Sequence, residues 1–199
     1  MEDIDGNIYP FLSINGKCWM AKNLDVSKFR NGDLIPQAQS AEAWEEAGEN
    51  AQPAWCYYDN NPENGKIYGK LYNWYAVNDR RGICPQGWHV PSDTEWTKLI
   101  NYLGGRKMAG GKMKSKGTTY WDSPNEGATN ESGFSALPGG FRDIEVSFLN
   151  IRFGAYFWSA TEDDNSNVWF RSLYKYDGNV YRATGFNKSV GASVRCLRD

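Results

Sequence analysis

The chain has 199 residues and a net charge of −2, a size that suits one domain, and no segment forms a basic stripe, which excludes nucleic acid as the main partner. Its 9 Trp, 12 Tyr and 21 Gly stand against a mean hydropathy of −0.68, so the core must be built from large rings and turns, with some rings left outside as binding anchors. No apolar run approaches the length of a membrane span, and no membrane insertion is expected.

Met1 is followed by EDIDGN, without the basic-then-apolar start of a signal peptide, so none is expected within these residues; either one was removed or the protein never had one. In DGNIYPFLSINGKCWMAKNL two apolar-rich runs flank Asn15-Gly16, a type I′ hairpin signal. SAEAWEEAG predicts a short helix capped by Ser40 and stopped at Gly48. The aromatic-dense PAWCYYDNNPENGKIYGKLYNWYAV, broken by Pro62 and Gly65, reads as a turn and then a buried segment, strand or helix.

ICPQGWHVPSDTEW holds the only histidine, His89. Ser92-Asp93-Thr94-Glu95 is a capping box, in which the Ser92 hydroxyl takes the Glu95 amide and the Glu95 carboxylate returns to Ser92. Behind it Trp96, Leu99, Ile100 and Leu103 share one helical face, and Gly104-Gly105 ends the helix. His89 lies in the extended segment before this helix and is read as a hydrogen-bonded structural residue rather than a catalyst. From GATNESGFSALPGGFRD onward the chain is Gly-rich, which predicts irregular coil over a small core. The remainder gives several short strands, with a hairpin turn at Asp177-Gly178 and a last strand at SVRCL. No repeat, low-complexity tract or charged linker divides the chain, so residues 1–199 are read as one domain.

The chemistry-bearing residues are sparse. Cys18, Cys56, Cys84 and Cys196 permit two disulfides in three pairings, none forms CxxC, and with one histidine a zinc cage would need scattered ligands. There is no GxSxG elbow, Walker loop or GxGxxG, and Gly104-Gly105 and Gly110-Gly111 lack the strand-turn-helix setting of a phosphate cradle. Glu45-Glu46 is a solvated helix face. Glu162, Asp163, Asp164 and Asn165 have the oxygens for calcium but read as a charged loop. The expectation is a non-enzyme without metal or cofactor.

DIDGNIY, WMAKNL, YGKLYNWYAV, CPQGWHVPSDTEW, TNESGFSALPGGFR, FWSATE and SVRC, in that order and across nearly the whole chain, resemble the FISUMP family, the Fibrobacter succinogenes major paralogous domain. The resemblance implies an α+β, C-type-lectin-like fold akin to the formylglycine-generating domains. It consists of a small twisted antiparallel sheet with two helices and long irregular loops, the helix at Ser92 packed on the sheet and the terminal strands paired. It also implies that Cys84 and Cys196 form a structural pair near strand ends, their Cα atoms within ~7 Å. A bridge over so long a loop contributes ~4–5 kcal/mol in a chain-entropy treatment. A cysteine- and copper-dependent oxidase like the formylglycine-generating relatives is the enzymatic alternative; it requires two accessible thiols held together. The lectin tripeptides Glu-Pro-Asn and Trp-Asn-Asp do not occur, which weighs against sugar binding through calcium.

The tail carries a further resemblance. Between Trp169, Arg171, Leu173, Val180, Arg182, Lys188 and SVRC lie Phe170, Ser172, Tyr174, Asp177, Gly178, Tyr181, Ala183, Thr184, Gly185 and Phe186. Each of these ten is reachable from the asparagine codon AAC by changing its two adenines; Lys, Gln, Glu, Met and Trp are not reachable, and of these only Lys175 stands between the recurring residues. This resembles the variable proteins of diversity-generating retroelements. It implies a non-enzymatic module, phage or bacterial, acting outside the cell or at a cell or virion surface, whose C-terminal face binds a protein or glycan. The alternative within the binding class is an adhesin or structural domain without diversification. Alternation puts Phe170, Ser172 and Tyr174 on one exposed side of a strand, joined by Asp177, Gly178, Tyr181, Ala183, Thr184 and Phe186. Trp169, Arg171 and Leu173 turn to the core, where Arg171 needs a buried or rim partner.

Overall fold

Asn15 and Gly16 both take left-handed backbone, φ 52° and 72°, and turn β1 (Phe11–Ile14) back onto β2 (Lys17–Met20) with Leu12 opposite Trp19, as the asparagine–glycine pair requires. These coordinates, a computed structural model, describe residues 1–199. The Ser40 hydroxyl accepts from the Ala43 amide at 3.1 Å and starts α1 (Ala41–Glu49). Gly48 does not stop this helix, contrary to expectation. A Cβ there would lie 2.5 Å from the Ser189 hydroxyl oxygen, so the missing side chain lets the helix approach Ser189, whose carbonyl accepts from the Trp44 indole at 2.9 Å.

The aromatic-dense segment is both strand and helix: β3 (Trp55–Cys56), α2 (Pro62–Tyr68), β4 (Leu71–Tyr72) and α3 (Trp74–Val77), the two helices capped by the Asn61 and Asn73 side chains. After β5 (Trp88–His89) comes α4 (Asp93–Tyr102), where the reciprocal Ser92–Glu95 capping box is present and Trp96, Leu99 and Ile100 are buried. Then follow α5 (Ala109–Met113), β6 (Gly139–Arg142), β7 (Phe148–Ile151), β8 (Gly154–Glu162), β9 (Asn167–Tyr174), β10 (Tyr181–Asn187) and β11 (Leu197–Arg198).

The structure is thus a mixture of helices and small antiparallel sheets. One sheet has the order β1-β2-β11-β5, a second β10-β9-β8, and β3-β4 and β6-β7 are two-stranded. The C-terminal β11 lies between β2 and β5, with Leu197 opposite Trp19 on one side and His89 on the other. The expectation of two helices and one small sheet is corrected to five helices and several sheets. The added helices span four to seven residues and the added two-stranded sheets use strands of two to four, too short to show a period, and α5 contains a Gly-Gly pair that a helix pattern does not suggest.

Of 106 backbone hydrogen bonds, 66 lie outside helices and strands, so loops are held by specific partners rather than ladders. Buried cations supply several. Arg195, fully buried, donates to the Met20, Phe134 and Ser135 carbonyls and to Asn23 Oδ1. Burial pushes its guanidinium down to about 9, which leaves it charged at neutral pH. Arg142 donates to the Ala38 and Ser40 carbonyls and stacks on Trp44 and Phe148. The buried indoles are wired similarly, Trp74 to Ser159, Trp96 to Trp158 and Trp158 to Tyr72, so rings fill the core without stranded donors. No helix is long and apolar enough to cross a membrane.

Cys84 and Cys196 form a disulfide with Cα atoms 6.0 Å apart, beside the β5–β11 pair. It closes a separation of 112 residues, so replacing both cysteines by alanine is expected to lower the unfolding free energy by ~4 kcal/mol in denaturant titration. An unchanged midpoint would contradict a stabilising role.

Glu95 accepts from the Ser92 amide at 2.9 Å and the Ser92 hydroxyl at 2.8 Å and faces His89 Nε2. Burial raises its carboxyl pKa, but these bonds outweigh burial and hold it below the ordinary range. A carboxylate depressed in the folded state contributes stability above its unfolded pKa and loses it as pH falls through the folded value. Stability measured from pH 6 to 3 is therefore expected to fall below about pH 4.3, and Glu95→Gln to flatten that acid limb. An identical limb in the variant would show that Glu95 carries no such coupling.

Candidate ligand-binding face

The β8-β9-β10 sheet brings most of the expected residues to one side. Across it Tyr156, Ser172 and Tyr181 form one row and Trp158, Phe170 and Ala183 the next, while Tyr174 lies opposite Gly154. Directly paired residues of antiparallel strands share a face. Between Ala183 and Phe186 the register shifts at a bulge formed by the exposed Thr184 and Gly185, the glycine at φ 99°. The bulge returns Phe186 to the same face, its ring stacked on Phe170 at 3.7 Å.

Two of these positions are not exposed, contrary to expectation: Phe170 is 7% and Ser172 1% accessible. Phe186 lies over Phe170, and a serine side chain is too short to rise above the rings of Tyr156, Tyr174 and Tyr181 around it. Tyr174, Asp177, Gly178, Tyr181, Ala183 and Phe186 are half-buried, and Thr184 is exposed, bonded to the Asp163 carboxylate. The other face is covered as well. Arg171 and Leu173 are fully buried, and Arg171 finds its partner in Asp93 at 2.8 Å and Thr97 at 3.1 Å. Trp169 is half-buried, with the Arg182 guanidinium 3.5 Å from its ring centroid and Arg182 itself paired to Asp93.

What remains open is a strip of rings at the end of the sheet. Tyr181 meets Tyr174 edge-on at 5.2 Å, Tyr174 runs parallel to Tyr176 at 5.4 Å, and Phe153 contacts both. Tyr176, 51% accessible, is the most exposed of these tyrosines and was not among the expected residues, although continuing the alternation past Tyr174 reaches it. Beside Tyr181 a cleft of about 520 Å³ is lined by Arg106, Lys107, Asn179, Val180 and Tyr181. No sequence signal links residues 106–107 to 179–181; tertiary contact alone joins them.

The turn that carries this strip is tied down. Asp177 accepts from the Tyr181 hydroxyl at 2.5 Å and from the Asn179 amide at 2.9 Å, and the first of these bonds raises the phenol pKa. Beneath it the fully buried Lys114 ammonium donates to the carbonyls of Glu126, Tyr174 and Asp177 at 2.7–2.9 Å, with burial pushing it down to about 8. Gly110 and Gly111 permit the docking, because a Cβ on Gly110 would sit 2.1 Å from the Asn179 carbonyl oxygen and one on Gly111 2.3 Å from that of Gly127.

Other candidates are engaged elsewhere. His89 bridges Asp199 (Nδ1, 2.6 Å) and Glu95 (Nε2, 3.1 Å), while the Ser92 hydroxyl is directed at Glu95. Glu162 pairs with Lys188, and Asp164 accepts from the Asn167 side-chain amide and from the Ser166 and Asn167 backbone amides, which together lower its carboxyl pKa. Of the two free thiols, Cys56 is buried and its pKa is pushed up to about 12, while Cys18 is half-buried.

No curated protein and no solved structure matches the chain. The Fibrobacter succinogenes major domain family matches residues 12–198, nearly the full length and the same span that carries the disulfide, the capping box and the ring-lined sheet. The chain belongs to the Fibrobacter succinogenes major domain family.

Proposed function

We propose that this chain is a non-enzymatic binding module of C-type-lectin-like fold that presents the end of the β8-β9-β10 sheet to a protein or glycan at a cell or virion surface. The observation that carries the reading is the open strip of Tyr181, Tyr174, Tyr176 and Phe153 held on a tied-down turn. Large rings with few rotatable bonds bind at low entropic cost, and a preformed surface avoids the cost of ordering. The lectin-like assignment draws support from the central C-terminal strand and from α4 packing beside β8 and β9. A surface location draws support from the disulfide, since such bonds persist in oxidising compartments.

The non-enzymatic part rests on the thiols and the histidine. An oxidase acting through cysteines needs an accessible, ionisable pair, whereas Cys84 and Cys196 are joined and buried and Cys56 is held protonated. Both nitrogens of His89 face carboxylates rather than a nucleophile. Diversification of the tail rests on the codon relation. The burial of Phe170 and Ser172 confines a variable contact surface to Tyr174, Asp177, Gly178, Tyr181, Ala183, Thr184 and Phe186. An adenine-substituted copy of this segment beside a reverse-transcriptase gene is the observation that supports diversification; without one, an undiversified adhesin is the better reading.

Binding itself is tested with an array of immobilised glycans and surface proteins. For any ligand found, Tyr176→Ala and Tyr181→Ala are expected to cost ~1–3 kcal/mol of affinity each. Tyr176→Ala is expected to leave the melting temperature nearly unchanged, because that ring is half open to solvent. Ligands that bind both variants as tightly as the parent protein would place the site elsewhere.

A further inference from the structure

Building on the binding-module reading, we infer that the face takes an acidic glycan: pyranose rings lie on the tyrosine strip and a carboxylate or sulfate group sits against Arg106 and Lys107. Both cations are exposed in the turn between α4 and α5, and neither has a carboxylate within ion-pair distance. Arg171 and Arg182 on the sheet are matched with Asp93 and Lys188 with Glu162, whereas Lys175, like Arg106 and Lys107, has no carboxylate within ion-pair distance. Two adjacent unpaired cations on a chain of net charge −2 are a local excess of the sign an anionic ligand needs.

Their position is fixed. The Arg106 carbonyl accepts from the Val180 amide at 2.8 Å and the Gly178 carbonyl from the Gly111 amide at 3.0 Å. These bonds hold the turn alongside Asn179 and Tyr181, which form the rest of the cleft wall. From Tyr181 the rings continue to Tyr174 and Tyr176, whose planes are 6° from parallel. Flat aromatic faces suit the apolar C–H face of a sugar, and the side-chain carbonyl oxygen of Asn179, whose Nδ2 is directed at the Tyr181 hydroxyl, suits its hydroxyl groups. A guanidinium pairs with a carboxylate or sulfate through charge-assisted bonds. Lys175, 5.3 Å over the Phe153 ring, adds a third cation at the far end of the strip. The neighbouring acidic groups are Glu126 and Asp177, and Asp177 is already engaged by the Tyr181 hydroxyl and the Asn179 amide. A row of rings ending in a largely apolar cleft rimmed by two cations suits a chain of acidic sugars, with apolar faces for the sugar rings and charge for their acid groups.

The test uses calorimetry on the full chain with three probes: a galacturonic acid hexamer, the same hexamer as its methyl ester, and a heparin hexasaccharide. The esterified probe keeps the sugar faces and removes the charge. Binding of the galacturonate or the heparin probe is expected, the two arms separating carboxylate from sulfate, with the ester at least tenfold weaker than its acid. The double variant Arg106→Gln/Lys107→Gln, with circular dichroism and melting unchanged, is expected to lose at least tenfold for the acidic probe and to reduce its salt dependence. Tyr176→Ala is expected to weaken every probe that binds. Equal binding of acid and ester, or an unchanged affinity in the double variant, overturns the acidic class. Failure of all three probes overturns the glycan inference; proteins on the array whose binding depends on Tyr176 and Tyr181 would then leave the binding-module reading standing. Loss in the double variant with none in Tyr176→Ala would instead place the ligand off the ring strip and overturn both.

Discussion

Buried positive charge aimed at backbone carbonyls is the interaction on which this fold depends. Strands of two to nine residues leave most of the main chain outside any ladder, and buried carbonyls need donors. A guanidinium offers five donors in one plane and an ammonium three, so a single side chain can collect carbonyls from separate segments. Arg195 joins residues 20, 134 and 135, Arg142 gathers the segment 38–40 ahead of α1, and Lys114 joins 126, 174 and 177. The arrangement has a cost, since the Arg142 and Arg171 Nε groups are buried without partners, ~1–3 kcal/mol for each such group. Stacking on Trp44 and Phe148 for Arg142, and the ion pair to Asp93 for Arg171, act against it.

The same device shapes the candidate site. A hairpin tip rich in tyrosine would ordinarily be a mobile loop, and its rings would lose entropy on binding. Here the Lys114 ammonium holds the tip from below, the Gly110-Gly111 pair gives it room to dock, and the Asp177–Tyr181 bond closes it from above. The Lys114 bonds run to main-chain carbonyls and so tolerate a change of side chain at positions 174 and 177, as the proposed reading of the tail requires, whereas the Asp177–Tyr181 bond is lost with either partner. The burial of Phe170 and Ser172 marks where that freedom ends: further along β9 the face is sealed by Phe186 and becomes core.

What could be read in advance followed how local the determining physics is. The hairpin at Asn15-Gly16 and the Ser92 helix were legible because a left-handed turn and a capping box are written in adjacent residues. The sidedness of Phe170, Ser172 and Tyr174 was legible from alternation, yet their exposure was not, because alternation tells which residues share a face and not what covers it. Gly48 looked like a helix stop, but its reason is a residue 141 positions later, Ser189. The role of Lys114, the helix at Gly110-Gly111 and the cleft at Arg106 and Lys107 arise only once distant segments meet, and no window of sequence contains them. The Cys84–Cys196 bridge followed from family resemblance and not from the spacing of four cysteines.

The claim that the binding face is preformed on a buried ammonium can be measured without any ligand, by amide hydrogen exchange of the free protein. The Val180 and Asn179 amides, bonded to the Arg106 carbonyl and the Asp177 carboxylate, are expected to exchange as slowly as the interior of β8 and β9. In Lys114→Met the protection of residues 174–181 is expected to fall while that of β1, β2 and β11 persists. Exchange of Asn179 and Val180 at unprotected rates in the parent protein would contradict the account, since the tip would then be a mobile loop and its tyrosines would not form a prepared surface.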